Sequence, residues 1–296
     1  MKDKVIGWIG TGLMGNPMVG HLLNAGYTVP IHNRTKSKAA DLIARGCTWY
    51  DTPAELTANS DVVVTIIGAP KEVEDCYFGP EGILKEVKTG MVLIDMTTTK
   101  PSLAVRISEQ AAMSGAAFID APVSGGQLGA INGNLSIMMG GKKEVVDRVI
   151  PLFETFGKNM VYQGRAGAGQ HAKMCNQITI AGTLIGVCEA LIYGLKAGLD
   201  LNTLLESISK GAAGCWSLDV LAPKMVKKDW SPGFSVDNFV KDLRIALEEA
   251  ETMQCSLPGL ALVKQLYLSV QAMGGGAYGN QALYLAVEKL SGLDKN

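Results

Sequence analysis

A short apolar run, Val5-Ile6-Gly7-Trp8-Ile9, leads directly into Gly10-Thr11-Gly12-Leu13-Met14-Gly15, and a helical pattern over 16–25 follows, closed by Gly26. No other stretch restricts the fold as strongly. A lone G-x-G-x-x-G is weak, but this one follows a strand, opens a helix and starts a βαβ unit. In that setting the first glycine makes the tight turn and the second lets backbone approach a pyrophosphate. The third lets the helix pack on the strand. The helix start then offers free N–H groups and the positive dipole end to phosphates.

The rest of the first half repeats this alternation. Apolar runs over 28–32, 62–67, 92–95, 117–120 and 135–139 read as strands, although Pro30 is awkward inside a central strand. Helical patterns cover 37–45, 101–114 and 143–156. Strands alternating with helices imply parallel βαβ units in a doubly wound sheet. The pattern changes near Gly164-Arg165-Ala166-Gly167. From 168 to 197 the chain reads as one helix, apolar around its circumference through Ile178, Ala181, Leu184, Ile185, Val187 and Leu191. At 1.5 Å per residue it spans about 45 Å. Such a helix is expected to be buried, in a bundle or against a second subunit. Further helical patterns cover 201–210, 218–227, 240–253, 258–273 and 280–290, with no convincing strand among them. The expected organisation is an α/β domain over 1–165 and an all-helical domain over 166–296, entered by the long buried helix.

Composition narrows the function. Hydrophobic residues make up 47% and charged residues 19% of the 296, enough to build a sizeable core. With 27 basic residues against 28 acidic ones there is no strongly basic surface, which speaks against nucleic acid or an anionic membrane as partner. Cysteines at 47, 76, 175, 188, 215 and 255 form no C-x-x-C and have no histidine cluster beside them. Buried reduced thiols in a cytoplasmic protein are expected, with neither a disulfide framework nor a metal site. The apolar run behind Met1-Lys2-Asp3-Lys4 is too short and too glycine-broken for a signal peptide. No membrane-spanning run is expected, because the best candidate, 174–188, carries Asn176 and Gln177.

The end of the second strand bears on the type of dinucleotide. Asn33-Arg34-Thr35-Lys36 contains no carboxylate to accept hydrogen bonds from adenosine ribose hydroxyls. Arg34 can stack on adenine and pair with a 2′-phosphate, and Asn33 and Thr35 can donate to it. This favours NADP over NAD, although an arginine there also reads as an ordinary surface residue.

Gly167-Ala168-Gly169-Gln170-His171-Ala172-Lys173-Met174-Cys175-Asn176 opens the long helix. At about 100° per residue Gly169, Lys173 and Asn176 share a face, with Gly169 leaving space above the lysine, while His171 points elsewhere. The helix N-terminus and desolvation both disfavour an ammonium, so Lys173 suits proton exchange with a substrate hydroxyl. A lysine snorkelling at a helix edge fits the same residues. Asp120-Ala121-Pro122-Val123-Ser124-Gly125-Gly126 follows a strand, where α/β folds carry ligand loops. Ser124 and the N–H groups of Gly125 and Gly126 could cradle a carboxylate, or form a simple turn. Lys241-Asp242-Leu243 reads as a solvated charge pair on a late helix.

Taken in order, these segments resemble the β-hydroxyacid dehydrogenase family, which includes 3-hydroxyisobutyrate dehydrogenases and tartronate and glyoxylate/succinic semialdehyde reductases. The resemblance runs over nearly the whole chain, through 7–18, 120–126, 167–176 and 241–243. It implies a Rossmann-type domain, a helical domain and a cleft between them, with homodimers or homotetramers joined through the helical domain. It makes Lys173 the general acid/base, sets Ser124, Gly125, Gly126 and Asn176 on the substrate, and places Thr98 and Lys241 near the cofactor. The implied substrate is a small carboxylate-bearing carbonyl or hydroxyacid. Departures are Ile67-Gly68-Ala69-Pro70, where many relatives carry Leu-Pro, and 276–280, which lacks an Asp. Phosphogluconate dehydrogenases share the lysine but continue with a His and a Glu. Asn176 and Ile180 stand at those positions, which speaks against decarboxylating chemistry. The alternative is a non-catalytic dinucleotide-binding redox sensor, which has no use for Lys173.

Overall fold

The computed structural model describes residues 1–293. It divides into two compact units, Met1–Lys173 and Met174–Asn296, with the division inside the long helix rather than ahead of it. The first unit carries one sheet of β1 (Ile6–Ile9), β2 (Ile31–His32), β3 (Val62–Thr65), β4 (Val92–Asp95), β5 (Ala117–Asp120), β6 (Val123–Ser124), β7 (Leu135–Gly141) and β8 (Gly157–Gly164). Five strands run parallel in the order β2-β1-β3-β4-β5. The period-two alternation of these strands explains why both faces are covered. Val62, Val64 and Ile94 join a core with Trp8 and Leu22, while Val63 and Leu93 join another with Tyr77, Ile107 and Phe118.

The sheet departs from the purely parallel expectation at one end. There β7 runs antiparallel to the tip of β5 and to β6, and parallel to β8. Pro30 raises no conflict, because β2 starts one residue later and stands at the end of the strand order. Three short α-helices were not anticipated, Pro53–Ala58, Pro70–Phe78 and Gly126–Ile131, nor was the single 3-10 turn Ile83–Lys85.

The second unit holds the helices Leu201–Ile208, Ser217–Leu221, Ala222–Val226, Val236–Thr252, Pro258–Ala272, Asn280–Ala282 and Leu283–Leu290, with most of the long helix Ala168–Lys196. Its core joins Ala181, Leu184, Cys188 and Leu191 of the long helix to Phe239, Leu243, Tyr267 and Leu283. The long helix is not buried all round within one chain: Thr179, Gly182, Gly186 and Tyr193 lie exposed along it. By length and composition it is apolar enough to cross a membrane, contrary to the expectation from 174–188 alone. Its inward face is nevertheless part of a packed protein core. The thiols are also less buried than expected. Cys47 and Cys188 are buried, Cys175 and Cys255 are exposed, and all six are free.

Candidate active site

The three glycines of the first loop have three different reasons. Gly10 has φ +99°, and a Cβ there would overlap the Ile66 carbonyl oxygen. A Cβ on Gly15 would overlap the Gly10 carbonyl oxygen, so the helix start lies against the turn. A Cβ on Gly12 would meet open space. Nothing within the chain demands glycine at 12, which is the behaviour expected where an external group approaches backbone. Beside it, the buried Thr11 Oγ1 has no hydrogen-bond partner. An open glycine and an orphaned hydroxyl in one loop fit a dinucleotide pyrophosphate. The loop is held from within by the buried Trp8, whose Nε1 donates to the Gly10 carbonyl at 2.9 Å. Asn33 steadies it from β2, accepting from the Thr11 N–H at 3.4 Å and donating to the Thr35 carbonyl at 3.0 Å. Leu13 is exposed and Met14 half-buried.

Arg34 is 86% exposed, but its Nη1 donates to Glu72 Oε1 at 2.8 Å. Sequence reasoning did not anticipate this carboxylate, which comes from the Pro70–Phe78 helix.

At the C-terminal ends of β4 and β5 two buried carboxylates organise the approach to Lys173. Asp120 Oδ1 accepts from the Gly167 N–H and Oδ2 from the Gln170 N–H, each at 2.8 Å. It therefore satisfies backbone donors at the start of the long helix that have no partner inside it. Burial raises its pKa, while those N–H groups pull it down. Gly169 is needed because a Cβ would overlap the Met138 carbonyl oxygen and press on Asp120. The helix start lies against β7 and the end of β5, so Gly169 serves close approach rather than leaving room above Lys173.

Gln170 is fully buried and clamps the loop after β4. Its Oε1 accepts from the Thr99 N–H at 3.0 Å and its Nε2 donates to the Thr97 carbonyl at 2.7 Å. Thr98, half-buried, sits between those two anchors. Lys173 follows one turn later and is only 7% exposed. Asp95 supports the same loop. Its Oδ1 accepts from Thr65 Oγ1 at 2.8 Å and from the Thr97 N–H at 3.1 Å, while its Oδ2 is buried without a hydrogen-bond partner. Burial pushes its pKa up to about 6 against the pull of Thr97 and Thr65. In the next segment Gly125 and Gly126 hold φ of +129° and +62°, a bend few L residues adopt, right after Ser124 of β6.

The helical unit wires two more candidates together. Asn176 Nδ2 donates to Gln177 Oε1 at 2.8 Å, and Gln177 Nε2 donates to Asp242 Oδ2 at 2.6 Å. Lys241 Nζ forms an ion pair with Asp242 Oδ1 at 2.9 Å, although that oxygen has no partner in hydrogen-bond geometry. Asp242 is 1% exposed, so this is a buried network and not the solvated pair expected from sequence. Among the described residues no group of three or more His, Cys, Asp or Glu side chains is placed to hold a metal.

In comparison with known proteins the chain divides ahead of the long helix, at the boundary expected from the sequence. The family described as "NAD binding domain of 6-phosphogluconate dehydrogenase" matches residues 5–164, and that described as "NAD-binding of NADP-dependent 3-hydroxyisobutyrate dehydrogenase" matches residues 167–287. The chain is 52% identical over 291 residues to an Arabidopsis thaliana protein named "Probable 3-hydroxyisobutyrate dehydrogenase-like 1, mitochondrial", covering 98% of this chain and 87% of that one. It is 36% identical over 287 residues to the 2-hydroxy-3-oxopropionate reductase of Escherichia coli, covering 97% and 98%. The structure of Mycobacterium tuberculosis 3-hydroxyisobutyrate dehydrogenase with L-serine superposes with a TM-score of 0.88 at 28% identity, covering 96% and 99%. With a dinucleotide loop at one end of these matches and a buried lysine at the head of the helical half, the chain belongs to the β-hydroxyacid dehydrogenase family of NAD(P)-dependent oxidoreductases.

Proposed function

We propose that the protein interconverts a small β-hydroxyacid and its semialdehyde, with NADP(H) preferred over NAD(H) and Lys173 as general acid/base. The observation that carries this reading is Lys173 itself: a buried lysine on a helix start that Asp120 fastens to the end of β5 and Gln170 ties to the Thr98 loop. When bound, the nicotinamide supplies or accepts the hydride. Lys173 gives its proton to the forming alkoxide oxygen in reduction and takes it back in oxidation. Ser124 with the Gly125–Gly126 bend, together with Asn176, holds the substrate carboxylate and hydroxyl. Asn176 is steadied for this by Gln177. Thr98 and Lys241 face the cofactor, and Asp242 keeps Lys241 in place. Arg34, with Asn33 and Thr35 beside it, takes the 2′-phosphate. The exposed stripe of the long helix supports assembly into homodimers or homotetramers through the helical unit.

The test is oxidation of NADPH with glyoxylate and with succinic, tartronate and methylmalonate semialdehydes. Turnover of at least one is expected. Silence on all of them, with NADPH bound, would favour the sensor reading instead.

A further inference from the structure

We propose that Glu72 tunes the cofactor preference of this protein, by holding a carboxylate against the Arg34 guanidinium where a 2′-phosphate binds. This rests on reading the Gly10–Gly15 loop and Arg34 as the dinucleotide site. The contact with Arg34 uses one carboxylate oxygen. The other, Oε2, accepts from the Ala69 N–H at 3.0 Å. The carboxylate is thus anchored by the N–H ahead of its own helix and not only by an exposed arginine. Glu72 is the third residue of the Pro70–Phe78 helix and reaches back to the N–H just ahead of it, the returning half of a capping box. Ala69 has no side-chain oxygen to complete the other half.

The anchor depends on Gly68. A Cβ there would overlap Glu72 Oε2, so any side chain at 68 displaces the carboxylate from this position. Gly68 lies in Ile67-Gly68-Ala69-Pro70, the segment that departs from the Leu-Pro of many family members. The missing side chain at Gly68 is therefore what admits the carboxylate.

The chemical consequence follows from charge. Strand β2 ends without the acidic residue that receives ribose hydroxyls in an NAD-type site. Glu72 brings a carboxylate to the same corner from another element. A 2′-phosphate that engages Arg34 meets a fixed anion 2.8 Å from the guanidinium, and like charges there offset part of the attraction. An unphosphorylated ribose meets no such repulsion. As a stabilising ion pair, this exposed contact contributes little. Its effect falls on selectivity, narrowing the preference for NADPH that Arg34 alone would give.

Fluorescence titration of NADPH and NADH into the wild type, E72Q, G68A and R34A at one ionic strength tests this. E72Q keeps an oxygen for the Ala69 N–H and removes the charge, whereas G68A keeps the charge and displaces it. In both variants the NADPH-to-NADH affinity ratio is expected to rise, by about three- to tenfold in E72Q. In R34A it is expected to fall. A ratio unchanged in E72Q and G68A but lowered in R34A overturns the role of Glu72 and leaves the dinucleotide site standing. A wild type that binds neither nucleotide overturns both.

Discussion

The two units position their candidate site residues in different ways. In the sheet unit, position comes from backbone: strands end in a row, tight glycine turns follow them, and Asp95 and Asp120 accept main-chain N–H groups at those ends. In the helical unit, position comes from side chains alone. Asn176 and Lys241 are held by a relay through Gln177 and Asp242, whose residues lie on two helices far apart in sequence.

The largest stability effect should come from the relay. Asp242→Ala leaves the Gln177 amide and the Lys241 ammonium facing a site without its carboxylate, and Asp242 is almost fully buried. A loss of about 3–4 kcal/mol is expected, read from urea unfolding at pH 7. A loss below about 1 kcal/mol would mean that the relay is not what orders this helix pair.

A somewhat smaller, pH-dependent effect belongs to the sheet unit. Asp95 has its pKa pushed up to about 6, against about 3.9 in an unfolded chain. The folded state then holds the extra proton between those values. The contribution of Asp95 is fully present below about pH 4 and is lost as pH rises through about 6. The wild type should lose about 2–3 kcal/mol relative to Asp95→Asn between pH 4 and 7, since the amide keeps an Oδ1 for Thr65 and Thr97 and does not ionise. Urea midpoints measured across that range check it; parallel pH profiles for the two proteins would contradict it.

What could be read from the sequence follows the same contrast. The Gly10–Gly15 loop, the five parallel strands and the long helix announce themselves through local pattern, and Lys173 stands out by its place in that helix. Several elements escaped because their local signal is weak. Strand β8 is mostly exposed, so it carries no apolar alternation. The Pro70–Phe78 helix has four charged residues among its nine and only a narrow apolar face, and the Gly126–Ile131 helix is short and glycine-rich. Gln170, Gln177 and Glu72 look like ordinary polar residues until folding brings partners to them from Thr97 and Thr99, Asp242 and Arg34. Gly169 was noticed for the wrong reason, because its neighbours Met138 and Asp120 come from strands that the local pattern does not place beside it.

Lys173 is the proposed carrier of the proton. The direct measurement is kcat of Lys173→Ala on the best substrate of the panel, with NADPH affinity titrated on the same preparation. A fall of at least about 10²-fold in kcat with NADPH still bound is the predicted result. Turnover close to the wild-type rate, with the cofactor equally bound, would contradict it.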